Sequence, residues 1–322
     1  MRLHFCGVRG STPAPGPDFV RYGGHTSSVA IAHDGAAGPT LILDVGTGVR
    51  RVTALLAGRP FTGTILLTHL HWDHVQGLPF FRAGDRDDAE VTLLLPDQQD
   101  GSSAEDVLAR AMSPPHFPIR PGQLRGSWTF GAIGPGQFRT CGFTVEAREI
   151  PHKGGRTLGY RVSDGHSVVA YVTDHCPTAL GPGPDGWGEY HVGALELAAG
   201  ADVLVHDAQL LAEELPAQAA FGHAAADYAV GLARQAGARQ VVLFHHQPDR
   251  TDDALDQLAR RFATSPIPVA VATEEVAMDL SAKGVSLAGQ ACRLGSQRRG
   301  RRGGRDFLVH PSAPPSPSGA GP

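Results

Sequence analysis

The stretch Thr68-His69-Leu70-His71-Trp72-Asp73-His74 places three imidazoles and one carboxylate in seven residues, directly after the apolar run Ile65-Leu66-Leu67. A short apolar run of this kind reads as a buried strand that delivers the polar residues to a sheet edge. Imidazole and carboxylate are common nitrogen and oxygen ligands of divalent metals. In an extended or turning loop His69 and His71 project to one side, while Asp73 and His74 turn toward a second point nearby. One segment can therefore feed two metal ions. The bland alternative, a histidine-rich surface loop, fits poorly with the buried strand in front of it.

Further strands read at Leu3 to Val8, Val29 to Ala32 and Leu41 to Leu43, the last running into Asp44. A carboxylate there can accept N–H bonds from the histidine loop and hold its shape, a structural role; direct ligation is the alternative. The Gly/Pro-rich residues after Val8 form a loop whose glycines let backbone approach the site. Val49 to Leu56 reads as helix, Phe61 to Leu67 and Val91 to Leu95 as strands. Residues 96–141 break this rhythm, with one helical pattern at Ala104 to Met112, and read as a pocket wall or lid; a plain surface excursion is the alternative. Phe143 to Ile150, Leu158 to Val162 and Val168 to Thr173 follow as strands. His152 and Asp174 thus sit at the two ends of a hairpin, and a carboxylate at such an edge is well placed to bridge two cations.

Val203 to Val205 reads as a strand, with His206-Asp207-Ala208-Gln209 opening a helix. Ala224 to Ala236 and Asp253 to Phe262 read as helices, Gln240 to Phe244, Val269 to Ala272 and Ala277 to Leu280 as strands. His245 and His246 end the strand before them, and adjacent residues there point to opposite faces.

Of 322 residues 41% are hydrophobic, enough for one large α/β domain. The expected domain is 1–283, followed by a tail, 284–322, whose Arg/Gly run and Pro/Ser terminus carry too few apolar residues to offset ordering entropy. The tail holds six Arg and one Asp, so the net charge of −4 splits into +5 there and −9 on the body. An acidic body argues against a large polyanionic substrate; the Arg/Gly tail could make weak contact with nucleic acid, a solvated basic tail being the default. No run approaches the ~18 apolar residues of a membrane span, and the N-terminus lacks a signal-peptide pattern, so the expected location is the cytoplasm, with no membrane partner. Cys6, Cys141, Cys176 and Cys292 lack C-x-x-C spacing and read as reduced thiols.

The histidine motif, together with Gly7-Val8-Arg9-Gly10-Ser11-Thr12-Pro13, Arg21-Tyr22-Gly23-Gly24-His25-Thr26-Ser27-Ser28 and Gly77-Leu78-Pro79-Phe80-Phe81, resembles the metallo-β-lactamase superfamily, in the branch containing cyclic-phosphate and cyclic-nucleotide phosphodiesterases. The resemblance runs from about Arg2 to Ala282 and implies a four-layer αββα sandwich with a binuclear site at one edge. It assigns His69, His71 and His152 to one metal, Asp73, His74 and His245 to the other, and Asp174 to the bridge, with His246 turned outward. Asp73 is also counted as catalytic. Nitrogen and carboxylate ligands without thiolate suit zinc, with manganese or iron as alternatives. A metal-bridging hydroxide is then the nucleophile, and His223, oriented by Asp207, the general acid or phosphate clamp.

The expected activity is hydrolysis of a small or cyclic phosphodiester, the partner being that small molecule; a homodimer is left open. The first alternative is a ribonuclease of the tRNA 3′-processing type, which shares the metal set. Only 21 residues separate His152 from Asp174, however, where that family inserts its long RNA-gripping arm. The second alternative is a carboxylic ester, lactone or thioester hydrolase, against which the Asp207/His223 pair and the family flanks weigh.

Overall fold

The computed structural model describes residues 1–280 and the backbone of the strand Ser286–Ala288. The Arg/Gly and Pro/Ser stretches expected to form a tail lie outside the described residues. Apolar segments of three to seven residues build two mixed sheets. The first begins with β1 (Arg2–Gly7), β2 (Ser28–Ala32) and β3 (Leu41–Leu43), paired antiparallel, and continues in parallel through β4 (Thr62–Leu66), β5 (Glu90–Pro96) and β6 (Ser127–Ile133). The chain then crosses to the second sheet. There β7 (Gly136–Thr140), β8 (Phe143–Glu149), β9 (Leu158–Ser163) and β10 (Val168–Val172) form an antiparallel meander, extended in parallel by β11 (Val203–Asp207), β12 (Val241–Phe244) and β13 (Val269–Val271). Finally β14 (Ala277–Asp279) and β15 (Ser286–Ala288) return to the open edge of β1.

Parallel strands need crossovers, and these carry the helices. The first sheet is covered by α1 (Val52–Leu55), α2 (Trp72–Val75) and α3 (Ala104–Ala109), the second by α4 (Val192–Ala198), α5 (Leu215–Gln218), α6 (Ala226–Gln235) and α7 (Asp252–Arg261). The inner faces pack on each other through Phe5, Leu43 and Leu66 against Tyr160, Tyr171 and Phe244. The buried Tyr160 hydroxyl donates to the Leu67 carbonyl at 2.6 Å, which satisfies it and ties one sheet to the other. Outside, Val52, Leu93 and Leu108 form one helix-covered core, Leu197, Leu204, Leu232 and Leu255 the other. Two helix-covered sheets face to face make the expected αββα sandwich.

Three expectations differ. Residues 96–141 include β6 and β7, each an edge strand of one sheet, so the segment is only partly a pocket wall. His206 and Asp207 end β11 and open no helix; a loop follows, and α5 starts at Leu215. β15 pairs with β14 beyond the boundary expected at 283.

Truncation after Gly289 should leave the melting temperature within about 1 °C of the full chain. Truncation after Lys283, which removes β15, should lower it by roughly 2–8 °C. Thermal scans followed by circular dichroism compare the two; equal values would mean that β15 adds no stability.

Candidate metal centre

The site forms where the carboxyl ends of the parallel strands from both sheets meet, the usual ligand edge of open α/β sheets. β4 delivers His69 and His71, and α2 then carries Asp73 and His74 inward. His152 follows β8, Asp174 follows β10, and His245 follows β12. Turning inward at these ends requires unusual backbone: Asp174 and His245 have φ of 52° and 60°, and Ser11 and Asp44 beside them 61° and 59°. Non-glycine residues in this region are uncommon, Asp and His being among the more tolerant.

Ligand atoms of His69, His71, His152 and Asp174 all lie within 4.8 Å of one another, and so do those of Asp73, His74, His245 and Asp174. Asp174 belongs to both sets, and its two oxygens divide between them. Oδ1 is 3.6 Å from Nε2 of both His69 and His152, whereas Oδ2 is 2.9 Å from His74 Nε2 and 3.1 Å from His245 Nε2. Asp73 Oδ2 completes the second set, 3.3 Å from His74 Nε2 and 3.1 Å from His245 Nε2.

Outer contacts fix which ring atom faces the centre. Asp44 accepts from His74 Nδ1 at 2.9 Å, the Thr68 N–H at 2.7 Å and the Tyr171 hydroxyl at 3.0 Å, the structural role expected of it. The Gly222 carbonyl accepts from His152 Nδ1 at 2.9 Å. His246 instead donates Nε2–H to the Ala272 carbonyl and packs edge-on to Tyr22, away from the cluster.

The donor set fits two cations. Burial opposes the ionisation of Asp73 and Asp174, yet the imidazoles of His74 and His245 outweigh it and hold both carboxyls well below the usual carboxylate range. His69 is pushed the other way, well below ordinary imidazole, by burial and by neighbouring His74. Its Nε2 is buried without a hydrogen-bond partner and offers a lone pair to the centre. Despite its burial, His74 is raised well above ordinary imidazole by Asp174, Asp73 and Asp44, so a divalent ion would bind there with release of its proton.

A third group stands beside the cluster. His223 Nδ1 donates to Asp207 Oδ2 at 3.0 Å, and its ring centroid is 5.1 Å from that of His245 and 5.5 Å from that of His152. Burial lowers the proton affinity of His223, but the charge of Asp207 and this hydrogen bond more than compensate, so its pKa is raised. A cavity of about 440 Å³ opens over the site, bounded by Ser11, Leu70, His71, Trp72, Asp73, Asp174 and His223. The sequence reading missed Ser11, whose backbone N–H donates to Asp73 Oδ2 at 2.7 Å, and Gln209, which faces it. Gly10 lets this loop approach, since a Cβ there would collide with His245 Nδ1 and Gln209 Oε1.

Residues 53–246 match the family described as the beta-lactamase superfamily domain. The chain belongs to this superfamily. Ribonuclease Z of Salinibacter ruber is 27% identical over 298 residues, covering 78% of this chain and 88% of that protein. Among solved structures, the metallo-beta-lactamase fold protein YhfI from Bacillus subtilis superposes with a TM-score of 0.63 at 16% identity, covering 86% of this chain and 99% of its own. A diphosphatase from the PhnP family gives 0.59 at 17% identity, covering 89% and 99%. At such identities the structural likenesses establish the fold. The chain is a hydrolase of the metallo-β-lactamase fold, and its His/Asp clusters fit a binuclear metal site.

Purified protein is expected to hold close to two transition-metal ions per chain, and Asp174→Ala to lose the pair, since one carboxylate serves both sets. Mass-spectrometric metal analysis measures this. Retention of two ions by the variant would remove Asp174 from the bridge.

Proposed function

We propose that this hydrolase is a phosphodiesterase acting on a small or cyclic phosphodiester. Two zinc ions would be held by His69, His71 and His152 and by Asp73, His74 and His245, with Asp174 shared; nitrogen-rich ligation without thiolate favours zinc over manganese or iron. Ions bound there supply Lewis acidity toward phosphoryl oxygens and lower the pKa of a water at the site. The observation that carries the phosphoryl reading is the Asp207–His223 pair. Asp207 holds Nδ1–H, so Nε2 is the ring atom left to meet substrate at the cavity wall. As the bond from phosphorus to the leaving oxygen lengthens, negative charge grows on that oxygen. His223, kept protonated by Asp207, donates its Nε2 proton there. Asp73, braced by the Ser11 N–H, keeps its second-set position while charge at the centre changes.

A second reading, processing of tRNA 3′ ends, is favoured by the relative named ribonuclease Z. Two observations weigh against it. Fifteen of the positions between His152 and Asp174 are taken up by the hairpin β9–β10, with no room for a protruding arm, and residues 1–283 carry a net charge of −9. A cytoplasmic enzyme fits both readings; no helix among the described residues is long and apolar enough to cross a membrane.

His223→Ala is expected to lower kcat for a ribose-alkoxide leaving group by roughly 10²–10⁴. With p-nitrophenolate, which leaves without a proton, the loss should be much smaller, and metal content should be unchanged. Steady-state assays of a cyclic nucleotide and of bis-p-nitrophenyl phosphate, with precursor tRNA alongside, measure this. Equal losses on both small substrates would end the assignment of His223 as acid, and cleavage of precursor tRNA alone would overturn the small-substrate reading.

A further inference from the structure

A second cavity, of about 860 Å³, adjoins the one over the metal centre and shares Leu70 and Trp72 with it. Its volume is that of a site for a whole organic group rather than for a phosphate alone. α3 and the turn after it supply Val107, Leu108 and Met112; the facing wall is Val75, Leu78 and Phe80, and Phe117 closes one end. Phe80 and Phe117 stand edge to face, with centroids 6.0 Å apart at 88°. Two of these aromatic side chains face outward: Trp72 is 75% exposed and Phe80 54% exposed, although Trp72 lies between His71 and Asp73 in the metal loop. Large aromatic rings left open beside a reactive centre indicate a binding surface.

The charges along this cavity narrow the occupant. Arg110 and Asp100, both exposed at the rim, pair at 2.7 Å, and Arg110 also donates to Ser102, which leaves His116 as the other ionisable side chain of the lining. A run of phosphates entering here would exchange its counterions for one imidazole and one arginine already paired. A flat, uncharged aromatic group instead meets two phenyl rings, an indole and aliphatic side chains.

We propose that this cavity is the subsite for a planar aromatic group of the substrate, a nucleobase or an aryl ring system attached to the scissile phosphodiester. The inference rests on the phosphodiesterase reading. Leu70 and Trp72, common to both cavities, set the path from the phosphorus to the ring, so the aromatic group belongs on the side of the phosphate that faces α3.

The test uses two diesters with one leaving group, methyl p-nitrophenyl phosphate and 2-naphthyl p-nitrophenyl phosphate, so that only the retained group differs. The wild-type enzyme should prefer the naphthyl ester in kcat/KM by roughly 10–100-fold, the range a filled apolar pocket gives. Ala111→Trp, which starts from an exposed position on the cavity wall, should fill the space and reduce that ratio at least tenfold. Phe80→Ala, a truncation of an exposed side chain, should reduce it in the same direction and serves if the larger substitution disturbs folding. No preference in the wild type, or a ratio unchanged in both variants, would overturn the subsite. If neither ester is hydrolysed by folded, metal-loaded protein, the phosphodiesterase reading fails on its own. Fluorescence titration with 2-naphthyl phosphate then decides the subsite. Binding that Ala111→Trp weakens tenfold supports it, and absence of binding, or binding the variant leaves unchanged, overturns it.

Discussion

The Asp44 carboxylate, fully buried at the end of β3, accepts hydrogen bonds from three directions at once. The Thr68 N–H comes from the end of β4, the His74 imidazole from α2, and the Tyr171 hydroxyl from β10 in the opposite sheet. Burying a charge is costly unless it is fully hydrogen-bonded, and here each bond also fixes something the site needs. Thr68 sets the start of the histidine loop, His74 is committed to presenting Nε2, and Tyr171 fixes the distance between the sheets one strand end away from Asp174. The geometry of the metal centre is therefore the geometry of the sandwich itself. A change in sheet spacing would move Asp174 relative to His74, which lie 2.9 Å apart.

The same convergence explains where the backbone is strained. Ser11, Asp44, Asp174 and His245 all follow or flank strand ends and all have positive φ. Such conformations cost on the order of 1–3 kcal/mol each and persist only where surrounding contacts over-determine them. Those contacts are visible. The strands before Asp174 and His245, β10 and β12, sit in the interior of a seven-stranded sheet, with β11 parallel to both and β13 parallel to β12. Arg9, buried before Ser11, donates to the carbonyls of Gly23 and Arg250 at 2.7 Å each and so anchors the loop that brings Ser11 to Asp73. Rigidity in the frame is exchanged for unusual direction at the edge.

Much of this was legible in the sequence, because metal sites of this kind need rare residues at fixed offsets after apolar strands. His69, His71, Asp73 and His74 declare themselves by spacing alone and Asp174 by its place at a strand end, whereas the choice of His245 over His246, and of His152, comes with the family resemblance. The sequence does not show Ser11, whose contribution to Asp73 is a backbone N–H that any residue could supply, or Gln209, whose role arises only when two distant loops meet. The edge strands β6 and β7 escaped notice for another reason. Their residues are half exposed, and the alternation of Trp128 with Phe130 is surrounded by Gly and Pro that read as loop. The helix expected to open at His206-Asp207-Ala208-Gln209 does not form there, because parallel pairing with Leu243 and Phe244 keeps His206 and Asp207 in the strand. Tertiary pairing overrides such local signals.

Four buried carboxylates stand close together, and hydrogen bonding tells their tasks apart. Asp207, His223 and His245 also approach one another closely enough to suggest a third metal position. The acceptor capacity of Asp207 argues otherwise. Its Oδ2 takes the N–H groups of His175 and Ala224 and the His223 imidazole, and its Oδ1 takes the Gln209 N–H. A carboxylate with four such donors has its lone pairs engaged and serves as a fixed negative charge. Asp44 is engaged in the same way, toward the loop and the second sheet. Asp174 receives one protein hydroxyl, from Thr173, and otherwise faces only imidazole nitrogens that can turn lone pairs inward; Asp73 receives a single backbone N–H. Saturated carboxylates hold histidines in place, and the carboxylates with open lone pairs face the centre. That division leaves Asp207 without a free lone pair for a third ion and fits the proposed task of His223 as a proton donor beside the two clusters.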